Sequence, residues 1–288
     1  MAIELGTTGV DGLRGVAAVL GGWQADGAPL QLHPGDLGWF WRFGARATVE
    51  AVRTWSRDGR ILAVGLLDGR RLLRLATAPE ARRDEELARR LAADAGDPAR
   101  GVLPGGGVSV EAPAGSLIRE LLSADGWRAG EPWTALHRDL TDPVPPPGAR
   151  IEVVGPEQAH VRSAVQRAAF DGSTFTDERW HTMAAGPLYD AARCLVAHDD
   201  RGLAVAAVTV WSAGPGRPGL IEPMGVHGDH RGHGYGRAIT VAAAAALRSL
   251  GSSSAIVATP SSHSGAVATY RSAGFTPRPE LADLCRDA

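Results

Sequence analysis

The strongest constraint on this chain lies at Arg231-Gly232-His233-Gly234-Tyr235-Gly236, where glycine takes every second position between two segments of opposite character. Before it, Gly219 to Val226 is apolar and strand-like. After it, Ile239-Thr240-Val241-Ala242-Ala243-Ala244-Ala245-Ala246-Leu247 is rich in strong helix formers, and Gly251 stops the run. A strand, a glycine turn and a helix in immediate succession leave few folds open. Closely spaced glycines let the backbone approach a ligand unobstructed. The first amides of the helix have no intrahelical acceptor, and the helix dipole adds partial positive charge there. The sequence therefore predicts an anion site, with pyrophosphate as its natural occupant and Arg231 and Arg237 as reinforcement.

The surrounding pattern sets this unit in an α/β fold with a mixed sheet of α+β type. Ile151 to Val154 reads as a strand, Pro156 to Phe170 as an amphipathic helix, and Thr176 to Ala192 as a second helical region interrupted at Gly186-Pro187. Cys194 to Ala197, Ala204 to Trp211 and Gly219 to Val226 read as an antiparallel meander, with turns at Asp199-Asp200-Arg201-Gly202 and Gly214-Pro215-Gly216. A helix from Gly234 to Leu250, a strand from Ser253 to Ala258 and a helix from Ser264 to Ala273 complete the order β-α-α-β-β-β-α-β-α. Upstream, Thr141-Asp142-Pro143-Val144-Pro145-Pro146-Pro147-Gly148 suits neither a helix nor a central strand and reads as a stiff connector. The expected division is residues 1–141, a proline-rich linker at 142–149, and a second domain at 150–288.

At 288 residues the chain has room for two domains, and its 44% apolar and 22% charged content is that of a folded globular protein. A net charge of -2 gives no general attraction to nucleic acid or to anionic membranes, and neither is expected as a partner. No apolar stretch approaches the roughly 20 residues of a membrane span. The acidic start Met1-Ala2-Ile3-Glu4 is unlike an export signal, so a cytoplasmic location is expected. Cys194 and Cys285 offer neither a disulfide framework nor a metal-ligand spacing, and no metal is expected. Monomer and homodimer both stay open.

Two rival readings of the glycine loop fail. A kinase-type phosphate loop needs a lysine, and every basic residue here is arginine. Dinucleotide binding needs Gly-x-Gly-x-x-Gly, but the third position is Ile239 counted from Gly234 and Arg237 counted from Gly232. What remains is Arg-x-x-Gly-x-Gly at Arg231, Gly234 and Gly236, with the apolar Val226 five positions ahead. Downstream, Ala266, Tyr270, Gly274 and Phe275 form Ala-x-x-x-Tyr-x-x-x-Gly-Phe. Both segments resemble landmarks of the GNAT superfamily of acyltransferases, the first being its acetyl-CoA pyrophosphate loop.

That resemblance implies acetyl-CoA as co-substrate and direct attack by an amine on its thioester. It implies cofactor contacts from Met224, Val226, Arg231, Gly232, His233, Gly234, Tyr235, Gly236, Arg237, His263 and Ala266. An exposed backbone N–H near Val226 would hydrogen-bond the thioester oxygen. The family often has Asn where His263 stands, a departure that touches a usual polar contact to CoA. Tyr270 matches the general acid that protonates the leaving thiolate; its alternative role is to pack its helix on the sheet. Glu222 is the only carboxylate on the strand beneath the acetyl group. It is either the base that takes the amine proton, directly or through water, or a partner for an arginine or a backbone N–H. His227 reads as a loop residue beside CoA. The acceptor implied is a small-molecule amine, with Phe170, Phe175, Trp180 and Tyr189 as walls and Asp171 or Asp190 to attract a cation. A CoA-binding sensor or scaffold, and a peptide or protein amine acetyltransferase, are the alternatives.

The first half reads as a faded copy of the second. Leu73 to Leu87 follows the outline of the strand and loop, but Glu85 and Leu87 replace the critical glycines. Ser116 to Trp127 parallels the last helix, with Leu122 where Tyr270 stands. The expected architecture is two tandem GNAT-like domains, the first degenerate, similar in outline to the mycothiol synthase-like tandem proteins. The aromatics of His33 to Arg42 either line a domain interface, reach the acceptor, or simply pack.

Overall fold

Where the apolar period changes between two and 3.6, the backbone changes between strand and helix. The computed structural model describes residues 2–287. In chain order its elements are β1 (Glu4–Gly6), α1 (Leu13–Trp23), α2 (Pro34–Phe40), α3 (Ala45–Ala51), β2 (Val52–Arg57), β3 (Arg60–Leu67), β4 (Leu72–Thr77), α4 (Glu85–Gly96), β5 (Val108–Glu111), α5 (Leu117–Ala124) and β6 (Arg128–Asp139). Then follow β7 (Arg150–Val153), α6 (Ala159–Ala169), α7 (Asp177–Ala184), β8 (Ala192–His198), β9 (Ala204–Trp211), β10 (Gly219–Val226), α8 (Tyr235–Ser249), β11 (Ser254–Pro260), α9 (Ser264–Ser272), β12 (Thr276–Pro277) and β13 (Leu281–Arg286). The α/β class with mixed sheets is as the sequence reads.

Contacts gather these elements into two units, the first comprising Met1–His33, Ala45–Trp133 and Glu280–Ala288, the second Pro34–Gly44 and Thr134–Pro279. The lines fall elsewhere than at 1–141, 142–149 and 150–288. Two segments account for the difference. β13 pairs with β5 and with the start of β6, through Leu284↔Val110 and Leu281↔Trp133, which takes the chain's end into the first unit. α2 packs on β9 and β10, which takes Pro34–Gly44 into the second. The proline-rich stretch lies inside the second unit.

In the first unit the strands run in the order β1-β2-β3-β4-β5-β13-β6, antiparallel except for the β4–β5 pair. Its core joins Trp55, Leu73 and Leu75 of the sheet to Leu87 and Leu91 of α4 and Leu122 of α5.

The second unit orders its strands β6-β11-β10-β9-β8-β7, with β12 on β6. β7 to β10 form the expected antiparallel meander, and β10 meets β11 in parallel. Adjacent residues of a strand point to opposite faces. A side chain at Gly225 would meet Ala169 of α6, whereas Val226 reaches Gly236 of α8, so α6 and α8 cover opposite faces of β10. The alanines pay off here: Ala243 and Ala244 are fully buried, and their small size lets α8 lie close on the sheet beside Ile239 and Leu247. Removing the Leu247 side chain to Ala is worth about 2–5 kcal/mol of destabilisation. The second helical region is shorter than the sequence suggests. α7 ends at Ala184, and Ala192 already belongs to β8, where it pairs with Trp211. Strand pairing overrides the local helical pattern there.

Candidate active site

α8 opens on Gly234, whose left-handed φ of 85° suits glycine and turns the chain sharply into the helix. No side chain caps this terminus and no acidic residue lies in its first turn. The first intrahelical bond runs from Ala238 N–H to the Gly234 carbonyl, so the amides before it have no helical acceptor. Arg231, Gly232, His233 and Gly234 are exposed, and a Cβ at either of these two glycines would meet only open space. The mouth is therefore both uncapped and uncovered, which fits a diphosphate.

The strand that leads into this loop is equally informative. β10 and β11 pair only at Gly219↔Ala255 and Leu220↔Ile256, although both strands continue. Beyond that point they diverge. Between Ile221 and Met224 the strand also bulges against β9, and the Trp211 indole N–H donates to the Glu222 carbonyl at 2.8 Å, pinning the bulge. Past the bulge, His227 N–H donates to Val205 of the β9 side. Backbone direction alternates along a strand, so Gly225 N–H also faces β9 while Met224 and Val226 N–H face the side from which β11 has departed. Residues Glu222 to Val226 are only half-buried, whereas Val205 to Trp211 of neighbouring β9 are buried throughout. A central strand with a half-open edge is a groove.

The two arginines sit differently from a simple phosphate clamp. Arg231 Nη2 donates to the Ala169 carbonyl at the end of α6, 2.9 Å away. Arg237 Nε donates to the Ser272 carbonyl at the end of α9, at 3.1 Å. Each neutralises the negative end of a helix and ties it to the loop. His233 and Tyr235 stack with ring centroids 6.4 Å apart, and the Asp229 amide donates to His227 Nδ1 at 3.2 Å. Gly236 is the crowded member of the motif: a Cβ there would lie 2.9 Å from Thr269 Cγ2, which fixes how closely α8 and α9 meet.

Tyr270 projects from α9 into the core, 5% exposed, with the Phe275 ring 6.0 Å away. Burial, and secondly the Glu222 carboxylate, push its hydroxyl well above the ordinary tyrosine range. The two proposed catalytic groups are thus electrostatic neighbours, and the phenol stays protonated. Ala266 is half-buried in the first turn of α9. His263 stands exposed just before it, its carbonyl accepting from the Ala266 and Val267 amides, and its ring does not cap the helix. Among the described residues no group of three or more His, Cys, Asp or Glu is arranged to hold a metal ion, and no helix is long and apolar enough to cross a membrane.

On the α6 face the Phe170 ring lies against Gly225, its Cε2 2.7 Å from where a Cβ would stand. α2 covers the neighbouring sheet: Gly38 has no room for a side chain because the Trp211 ring fills the place, and Trp41 packs on Gly186. Trp39 stacks on Phe175 at 5.3 Å, and Trp180 and Tyr189 meet edge to face at 6.1 Å. Of the residues expected as an acceptor wall, Phe175 and Trp180 are buried in the packing, Phe170 is exposed and Tyr189 half-buried, and α2 packs against this group. Only the tryptophans of that segment hinted at it. Asp171 and Asp190 lie exposed at its margin.

Comparison with known proteins bears on the fold. Residues 190–277 match the family model for the acetyltransferase (GNAT) domain. A tandem GNAT protein from the clavulanic acid biosynthesis pathway shares the fold at 19% identity and TM-score 0.62, covering 99% of this chain and 98% of that one. A GCN5-related N-acetyltransferase from Sphaerobacter thermophilus does so at 19% identity and TM-score 0.60, covering 99% and 95%. A GNAT-family acetyltransferase from Colwellia psychrerythraea does so at 15% identity and TM-score 0.61, covering 99% of each chain. No curated protein matches the sequence. The chain therefore has a tandem GNAT fold. Within the second unit, residues 190–277 are similar to the GNAT acetyltransferase domain.

Proposed function

We propose that the second unit is an acetyl-CoA-dependent N-acetyltransferase that modifies the amine of a small metabolite by direct attack. The observation that carries this reading is the uncapped α8 mouth continuous with the open edge of β10. The amides of Gly234 to Arg237 would hold the pyrophosphate of CoA, with Gly232, His233 and Tyr235 shaping the loop and Ala266 and His263 flanking it. The bound thioester supplies an activated carbonyl.

The protein's own groups divide the remaining work. Met224 and Val226 N–H groups donate to the carbonyl oxygen as negative charge develops there. Glu222 accepts the proton that the attacking ammonium must lose, directly or through one water. Tyr270 donates its phenolic proton to the departing sulfur as the C–S bond breaks and the C–N bond forms. Burial keeps that proton in place until it is needed. Arg231 and Arg237 act by fixing the loop to α6 and α9.

Thiol release from acetyl-CoA, measured over a panel of amines, tests the reading. Amine-dependent release, with CoA binding lost in Gly234→Glu, supports it. Tight CoA binding with no release for any amine would favour a sensor or scaffold instead.

A further inference from the structure

A series of stacked guanidinium and aromatic planes runs through the α6–α7 side of the second unit. Arg162 Cζ lies 5.5 Å from the Phe175 ring, Phe175 stacks on Trp39 at 5.3 Å, and Arg42 sits between Trp39 at 4.0 Å and Phe43 at 4.2 Å. Arg179 closes the series 5.3 Å from Phe43. Its inner end is sealed, Arg162 being 0% exposed, and its outer end is open, Phe43 being 42% exposed.

The inner arginine has a partner on each nitrogen but no counter-charge among them. Its hydrogen-bond partners among the described residues are the Cys194 sulfur at 3.2 Å, Gln166 Oε1 at 2.7 Å and Thr209 Oγ1 at 3.5 Å, none of them a carboxylate. A guanidinium carries five N–H donors, so acceptors are short. A buried charge is costly unless a counter-charge meets it. On α7 the Trp180 indole N–H is buried with no hydrogen-bond partner, and at the outer end the Arg179 guanidinium donates to Thr174 through Nη1, which leaves its other N–H groups facing outward.

The series and the strand groove share α6. Arg162, Gln166 and Phe170 follow one another at four-residue intervals along α6 and its end, and Phe170 lies on Gly225. At 1.5 Å per residue, Arg162 and Phe170 are about 12 Å apart along the helix. We propose that the acceptor, within the acyl-transfer reading above on which this rests, carries a planar carboxylate that this stack attracts and holds while its amine reaches Gly225. Arg162 provides a fixed positive field from inside, and Arg179 provides in-plane N–H groups at the mouth, the geometry that matches a carboxylate. The flat rings favour a carboxylate borne on an unsaturated frame.

Benzoate and its neutral counterpart benzamide serve as probes, titrated by indole fluorescence into the full chain and into Arg162→Met and Arg179→Gln. Benzoate should bind wild type at least about tenfold more tightly, a difference of roughly 1.4 kcal/mol. Both substitutions should bring the two probes toward parity and leave CoA affinity unchanged. Arg179 is exposed, so its variant keeps the test decisive if Arg162→Met fails to fold. Equal binding of the probes, binding of neither, or a preference that survives Arg179→Gln overturns the proposal. A separate CoA titration distinguishes the two claims: no CoA affinity defeats the acyl-transfer reading, whereas the benzoate preference reports on the anion site alone.

Discussion

α4 and α8 follow equivalent strands of the two units and begin in opposite ways. At α4 the Asp84 carboxylate caps the terminus, accepting from the Leu87 amide at 2.8 Å, and Glu85 and Glu86 fill the first turn. Arg57 grips Asp84 with two hydrogen bonds of 2.9 Å and holds its carboxyl below the ordinary carboxylate range. At α8 a left-handed glycine stands where the cap would be, and the first turn carries no acid. The adjoining strands differ in the same sense. Arg74 and Glu111 pair at 2.7 Å across β4 and β5 where their parallel register ends, whereas β10 and β11 separate after Leu220↔Ile256. The same succession of elements thus satisfies its helix mouth internally in one unit and leaves it for an anion in the other.

Substitutions that exchange these features have effects of graded size. The largest is expected from Gly234→Glu, which adds a side chain at a left-handed position and a carboxylate at the mouth. CoA affinity, followed by calorimetry, should fall on the order of a hundredfold or more while circular dichroism stays native. Affinity near wild type would break the comparison. Next, Tyr270→Phe should lower kcat about a hundredfold with CoA binding intact. Because burial and Glu222 raise the Tyr270 hydroxyl, no loss of turnover from this group is expected as pH rises from about 7 to about 10. A Phe variant with undiminished kcat would return Tyr270 to a packing role.

Effects in the first unit are structural. Asp84→Ala should cost about 1 kcal/mol of stability without changing CoA affinity. The depressed Asp84 carboxyl contributes stability that is fully present above its unfolded pKa of about 3.9 and disappears as pH falls through its lower folded value. Acid titrations of unfolding should therefore be shallower in the variant, and an unchanged acid limb would contradict the cap. The smallest effect is expected from Gly236→Ala, a few-fold loss of CoA affinity caused by the 2.9 Å approach to Thr269 Cγ2. Adding Thr269→Ser removes that methyl group and should restore affinity; no restoration would place the strain elsewhere.

Local pattern made much of the second unit readable. β9 and β10 run from Ala204 to Trp211 and from Gly219 to Val226 as alternation and turn residues indicate, and α8 and α9 lie within a residue of their expected limits. What escaped was non-local. Leu281–Arg286 shows nothing in its own sequence that selects β5 as partner, and Pro34–Phe40 nothing that selects the face of β10. The loop glycines were legible because backbone chemistry restricts those positions. The divergence of β10 from β11 was not, because an unmade pairing has no residue signature. Charge beside the loop suggests Arg231 and Arg237 as reinforcement for an anion, whereas the carbonyls they meet belong to helices distant in sequence.

Amide hydrogen exchange with and without CoA addresses both helix mouths in one experiment. The account predicts new protection at Gly234 to Arg237 and at Met224 and Val226, with none at Glu85 to Leu87. Unchanged exchange across the start of α8, or protection at α4 instead, would contradict it.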